Sequence, residues 1–238
     1  MSIHPRNSST NRFPIFKEIF GDIKNYNILD FGGSSGNLLY FSQGEILENS
    51  YTCIDISKEA TDKGQSEFPK ARFDYYDRYN WMYNHNGNLD LKFPNINKSY
   101  DFIWAYSVFS HTDLDEMLKT IKWMISLNPK KIAVSFLDLE LALLTYFYNK
   151  RIESYGYSID IRKFCNNDFN TVSLFDSNML TVNKLKLESY NCDHFVTFYN
   201  IDFLKEYFAE QDIYINIITP KNSTVPFLVI DREGINDY

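Results

Sequence analysis

Seven short apolar runs punctuate the chain: "YNILDF" (26–31), "YTCID" (51–55), "ARFDY" (71–75), "YDFIWAY" (100–106), "KIAVSF" (131–136), "IYINII" (213–218) and "VPFLVID" (225–231). Runs of this length that stay apolar nearly throughout mark strands covered on both faces. Helix-like stretches separate the first five, and strands alternating with helices specify a doubly wound α/β sheet, mostly parallel. The clearest helix is expected over 113–127, where Leu114, Met117, Leu118, Ile121, Met124 and Ile125 share one stripe. Thr112 and Asp115 give it a capping-box-like start, and Pro129 follows its end. The last two runs break the alternation. Only "TPKNST" separates them, too few residues for a parallel crossover, so they are expected to be antiparallel neighbours.

With 238 residues, 44% of them hydrophobic and 17% aromatic, the chain can bury a sizeable core, and a single domain over 1–238 is expected. Two segments interrupt the simple pattern. Residues 76–99, rich in Asn, Tyr and Gly, read as a long surface excursion, and 139–198 read as a lid-like insertion with aromatics throughout. A helical extension whose Tyr and Phe residues pack on the domain is the plainer alternative for the second.

The net charge of -7 and pI near 5.1 argue against nucleic acid or anionic membranes as partners, since both reward a basic face. Residues 1–12 lack the apolar core of a secretory signal, and "LELALLTYFY" (139–148) carries Glu140 and is too short to span a bilayer. A cytoplasmic protein is expected. Cys53, Cys165 and Cys192 are odd in number and form no CxxC pair, so neither a disulfide framework nor a thiolate metal site is indicated.

"NILDFGGSSGNLLYF" (27–41) is a strand, a tight turn and a helix start. Glycine there lets a ligand approach the backbone, and the helix N-terminus offers unpaired N–H groups at the carboxyl end of the first strand, where open α/β sheets bind ligands. A dinucleotide fingerprint needs glycines at the first, third and sixth positions of that loop. Counting from Gly32, this chain has Ser34 and Asn37 at the last two, so the match fails. Asp30 also speaks against a pyrophosphate, which its charge would repel.

The turn instead resembles motif I of the class I S-adenosylmethionine (SAM) methyltransferases, D/E-x-G-x-G-x-G. It is met at Asp30, Gly32 and Gly36, with Ser34 in place of the middle glycine and Gly33 between. Other landmarks follow in order. Asp55 ends the second run 19 residues past Gly36, where a carboxylate takes both ribose hydroxyls, with Ile56 beside it. In "FDYYD", Asp77 matches the acid that faces the adenine amino group, with Asp74 as the alternative. "YDFIWAYSVFSHTDLDEML" resembles the fourth-strand segment of the family's small-molecule branch, and "HFVTFYNIDFLKEYF" (194–208) its last helix lead-in. The resemblance implies seven strands in the order 3-2-1-4-5-7-6 with the last antiparallel, SAM as cofactor and S-adenosylhomocysteine as its product.

What it implies about chemistry is methyl transfer by in-line displacement, which needs alignment, exclusion of water and a base when the nucleophile carries a proton. His111 and His194 are the candidate bases, with packing or capping as the alternative for each. Tyr106 and Ser107 border the methionine moiety or the acceptor. Tyr146 and Tyr155 are candidates to line a lid pocket. No Asn/Asp-Pro-Pro-aromatic tetrad, Pro-Cys pair or Asp plus Asp-Asn constellation is present, and no metal is expected. The expected reaction is methylation of an oxygen or nitrogen on a small molecule. A protein or peptide acceptor, or a non-catalytic SAM-fold binding module, is the alternative. The oligomeric state is not legible.

Overall fold

The computed structural model describes residues 6–80, 83–139, 152–154, 157–159, 189–192 and 196–232, with backbone alone over 152–196. Helix α1 (Phe13–Phe20) leads into β1 (Ile28–Phe31), α2 (Asn37–Phe41), β2 (Tyr51–Asp55), α3 (Lys58–Glu67), β3 (Arg72–Tyr75), β4 (Phe102–Ala105), α4 (Leu114–Ser126) and β5 (Lys131–Ser135). Two hairpins follow, β6 (Ile152–Ser154) with β7 (Tyr157–Ile159) and β8 (Ser189–Cys192) with β9 (Val196–Tyr199). The chain ends through α5 (Ile201–Ala209), β10 (Asn216–Ile218) and β11 (Phe227–Asp231).

Seven strands form one sheet in the order β3-β2-β1-β4-β5-β11-β10. Those from β3 to β5 are mutually parallel, while β11 runs antiparallel to both β5 and β10. Counting only the strands of this sheet, the order is 3-2-1-4-5-7-6, as the family resemblance implies.

Side chains alternate between two cores, one on each face. Ile28, Tyr51, Cys53, Phe102, Trp104 and Phe227 meet α1 and α2, whereas Leu29, Ile54, Ile103, Val134 and Leu228 meet α4 and α5. Burying both faces is why the five inner strands, β1, β2, β4, β5 and β11, read as continuous apolar runs, whereas the edge strands β3 and β10 stay partly exposed.

α1 was not legible as an element, yet it positions one edge of the site. Phe16 and Phe20 pack on Trp104, and Phe20 also lies 4.9 Å from the Phe102 ring, so α1 runs antiparallel to β4 and sets its N-terminus at the sheet's carboxyl edge.

Helix α4 starts differently from the capping box expected at Thr112 and Asp115. Asp113 is the N-cap, accepting from the Glu116 N–H at 2.8 Å.

The 76–99 excursion is also tied down more firmly than its composition suggests. The Arg78 guanidinium grips Glu116 of α4 through Nε and Nη2 (3.1 and 2.7 Å), and Phe93 stacks on Trp123. Most of 139–198, with Tyr146, Tyr155 and His194, lies outside the described residues. Among the described residues, no helix is long and apolar enough to cross a membrane.

Candidate functional site

The turn after β1 explains its own sequence. Gly32 (φ 79°), Ser34 (φ 55°) and Gly36 (φ 79°) all lie in the left-handed region, so every second residue of "GGSSG" takes a conformation that disfavours a side chain. Space forbids side chains at the two glycines as well. A Cβ on Gly32 would come within 2.3 Å of Val108, and one on Gly36 within 2.8 Å of the Phe73 ring.

Ser34 holds the left-handed state because its neighbours fix its backbone. Its N–H donates to Asp55 Oδ2 at 2.7 Å, and its carbonyl accepts from the Cys53 thiol at 3.4 Å. The other oxygen of Asp55 accepts from the Ser57 N–H at 2.8 Å, at the N-cap of α3. Asp55 therefore has a structural role that its sequence position did not reveal: it joins the glycine turn to the start of α3.

Asp30 lies beneath the turn, 3% exposed, and accepts a hydrogen bond from the Tyr51 hydroxyl. A Cβ on Gly33 would strike its carboxyl at 2.5 Å. Burial pushes Asp30 up to about 7, the Tyr51 hydrogen bond opposes that rise, and the charge of Asp55 adds to it. Ile56 packs, half-buried, on the α4 side.

Along the same edge, Asp77 accepts from the Tyr75 hydroxyl and from Asn84 Nδ2 (3.0 Å), and those bonds hold its carboxyl below the usual range. Asp74, the sequence alternative, is paired with Arg72 at 2.7 Å.

At the end of β4, the Tyr106 ring stacks on Trp104 and lies near Phe227, with the Arg12 guanidinium 4.7 Å from its centroid. Burial raises the Tyr106 phenol, and Arg12 works against that rise. Ser107, also left-handed (φ 58°), donates its N–H to Ser135 Oγ at 2.7 Å.

His111 sits on the short turn Phe109–His111, its Nε2 3.3 Å from the Tyr83 hydroxyl and its carbonyl accepting from Asn80 Nδ2 at 3.0 Å. On the other side of that turn, the buried Tyr199 hydroxyl lies 2.7 Å from the carbonyls of both Phe109 and Thr112.

The structure thus brings Asp30, Gly32, Gly33, Ser34, Gly36, Asp55, Ile56, Asp77, Tyr106, Ser107 and His111 to the carboxyl ends of four adjacent strands, β3, β2, β1 and β4. It adds Arg6, Arg12, Tyr51 and Tyr83, which belong to no motif. Arg6 braces the turn from outside, donating to the Ser35 carbonyl at 2.8 Å and pairing with Glu67, its guanidinium 4.4 Å from the Tyr40 ring centroid. Among the described residues, no cluster of His, Cys, Asp and Glu has the arrangement of a metal site.

Residues 29–128 match a family model described as a methyltransferase domain. Among solved structures, the chain is similar to an S-adenosylmethionine-dependent methyltransferase from Clostridium acetobutylicum ATCC 824, at 14% identity over 94% of this chain and 90% of that one, with a TM-score of 0.53. It is also similar to the PH0226 protein from Pyrococcus horikoshii OT3 (14% identity, 93% and 87% covered, TM-score 0.52). A third similar structure is the methyltransferase domain of a bacterial CtHen1 (12% identity, 94% and 98% covered, TM-score 0.51). At these identities the likeness is one of fold.

Proposed function

We propose that the chain, whose residues 29–128 match a methyltransferase domain, is an S-adenosylmethionine-dependent methyltransferase acting on an oxygen or nitrogen of a small molecule. One observation supports the cofactor's place: the left-handed turn Gly32–Ser34–Gly36 has the Asp30 carboxyl beneath it and the Asp55 carboxylate bonded to its Ser34 N–H, with Asp77 further along the same edge after β3. The carboxylate of Asp55 beside the turn suits a cationic, phosphate-free ligand and repels a pyrophosphate. The basic group that touches the turn, Arg6, is already engaged by Glu67 and the Ser35 carbonyl.

Bound SAM supplies an electrophilic methyl on a sulfonium. The chain's own residues do the rest. Asp55, which accepts from the Ser34 and Ser57 N–H groups, also accepts the ribose hydroxyls. Gly32, Gly33 and Gly36 keep side chains away from the turn, and Ile56 and Asp77 flank the adenine. Tyr106 and Ser107 border the methionine end, and His111, held by Tyr83 and Asn80, takes the proton from the acceptor. The net charge of -7 supports a small acceptor over a nucleic acid.

The test is calorimetric titration with S-adenosylhomocysteine, followed by turnover of SAM against a panel of small hydroxyl and amine metabolites. Saturable binding with turnover of at least one panel member supports the proposal. Binding with turnover only on a peptide or protein would replace the acceptor class.

A further inference from the structure

Residues 6–12 precede the matched segment 29–128, yet one side chain among them reaches the turn after β1 and both helices that follow it. Arg6 donates from Nη2 to the Ser35 carbonyl at 2.8 Å and from Nε to Asn37 Oδ1 at 3.2 Å, on the first residue of α2. Its Nη1 pairs with Glu67, the last residue of α3. The guanidinium also lies against the Tyr40 and Phe68 rings, 4.4 and 5.4 Å from their centroids. With only 11% of the side chain exposed, this is a planar fork held on several sides rather than a solvated surface ion pair. Asn7 closes a short turn over Ser8–Thr10 behind it, its side-chain oxygen accepting from the Ser9 N–H and its carbonyl from the Thr10 N–H, each at 3.0 Å.

The Ser35 carbonyl belongs to the peptide that enters Gly36, which sits at φ 79°. Glycine accepts φ of either sign at little cost, so this peptide can flip unless both of its ends are held. On one side the Gly36 N–H donates to the Gly33 carbonyl at 3.0 Å, and on the other Arg6 holds the Ser35 carbonyl. A flip breaks both bonds and turns the Ser35 carbonyl toward the carbonyl of Gly33. The bond from Arg6 is charge-assisted, which makes it the stronger of the two restraints. We propose that Arg6 is a positioning residue for the ligand-binding turn: its grip on Ser35 keeps the turn in the shape that receives the cofactor, and a cofactor seated on the turn tightens that grip in return. Such coupling is reciprocal by thermodynamic necessity. The inference rests on the SAM-binding reading above.

Calorimetry and hydrogen exchange on the full chain test it. In Arg6→Gln, affinity for S-adenosylhomocysteine, measured well below the variant's melting temperature, is expected to fall about five- to fiftyfold. Arg6→Lys, which keeps the charge but not the planar fork, should fall between. In the parent, saturating S-adenosylhomocysteine should slow exchange of the Ser9 and Thr10 N–H groups by a similar factor, and in Arg6→Gln that slowing should vanish even at saturation. A brace with a structural role alone lowers the melt of both variants and leaves affinity below the melt at the parent value. That result overturns the proposal, as does exchange at Ser9 and Thr10 that the ligand leaves unchanged in the parent, a measurement that needs no variant to fold. A parent that binds no S-adenosylhomocysteine overturns the SAM-binding reading, and the proposal with it.

Discussion

Replacing Asp55 separates its two roles. In the parent, its carboxylate accepts from the Ser34 N–H at 2.7 Å and from the Ser57 N–H at 2.8 Å, so Asp55→Ala strips one acceptor from the turn and one from the start of α3. Hydrogen bonds to charged groups contribute about 1.5–3 kcal/mol each, and water can reach this half-buried edge to replace part of what is lost. A total cost of roughly 2–4 kcal/mol is expected, which lowers the melting temperature of a chain this size by about 5–15 °C. Asp55→Asn keeps one carbonyl acceptor but turns an amide N–H₂ toward the other N–H, and should cost about half as much. Both variants should also lose affinity for S-adenosylhomocysteine, on the order of ten- to several-hundredfold, measured well below their melting temperatures. A melt of Asp55→Ala that overlays the parent would refute the structural role. Parent-like binding by either folded variant would refute the placement of the ribose.

Five further outcomes follow from the same geometry. Asp30 rises from 3.8 to about 7, so the folded state keeps a proton that the unfolded chain has released; the stability this gives is complete below about pH 4 and is lost as pH climbs toward 7. That loss is on the order of 4 kcal/mol, and Asp30→Asn should remove this slope from urea midpoints measured across pH 4.5–8. Gly32→Val meets both the left-handed φ and the Val108 contact at 2.3 Å, and should abolish binding and lower the melt by several degrees, whereas Ser34→Gly relieves a left-handed side chain and should leave stability unchanged or raise it by up to about 1 kcal/mol. Tyr199→Phe leaves the Phe109 and Thr112 carbonyls without their 2.7 Å partner and should cost about 1–3 kcal/mol in chemical denaturation. His111→Gln should lower kcat about 10²- to 10⁴-fold with little change in SAM binding, which steady-state kinetics and calorimetry together would show.

Much of the architecture was legible because strands buried on both faces leave uninterrupted apolar runs, and "TPKNST" was too short to allow any but an antiparallel final pair. The glycine turn was legible for a different reason. Left-handed residues at 32, 34 and 36 restrict side chains, and the restriction survives in the spelling of the motif even where Ser34 departs from it. The roles of long side chains were hidden. Nothing near Arg6 or Arg12 in sequence signals that one braces the turn and the other lies on Tyr106, since Arg6 meets partners 29 or more residues away and Arg12 meets Tyr106 only when α1 packs along β4. Tyr83 was lost inside a segment whose Asn-rich composition reads as solvent-exposed, because the Arg78–Glu116 pair and the Phe93–Trp123 stack that fold it inward join residues far apart in the chain. The N-cap of α4 was displaced to Asp113 because Thr112 and Asp113 are both good caps, and the choice between them is made by packing, with the Thr112 carbonyl held by Tyr199.

On the proposed reading, the left-handed turn with Asp55 bonded to it holds a cationic, phosphate-free nucleotide derivative in a fold that also suits dinucleotides. The measurement that addresses it most directly is calorimetry of the unaltered chain with SAM and with NAD at the same concentrations and ionic strength. One-to-one saturable binding of SAM, with no detectable heat from NAD, is the predicted result. Binding of NAD as tight as that of SAM, or no binding of SAM at all, would contradict the account.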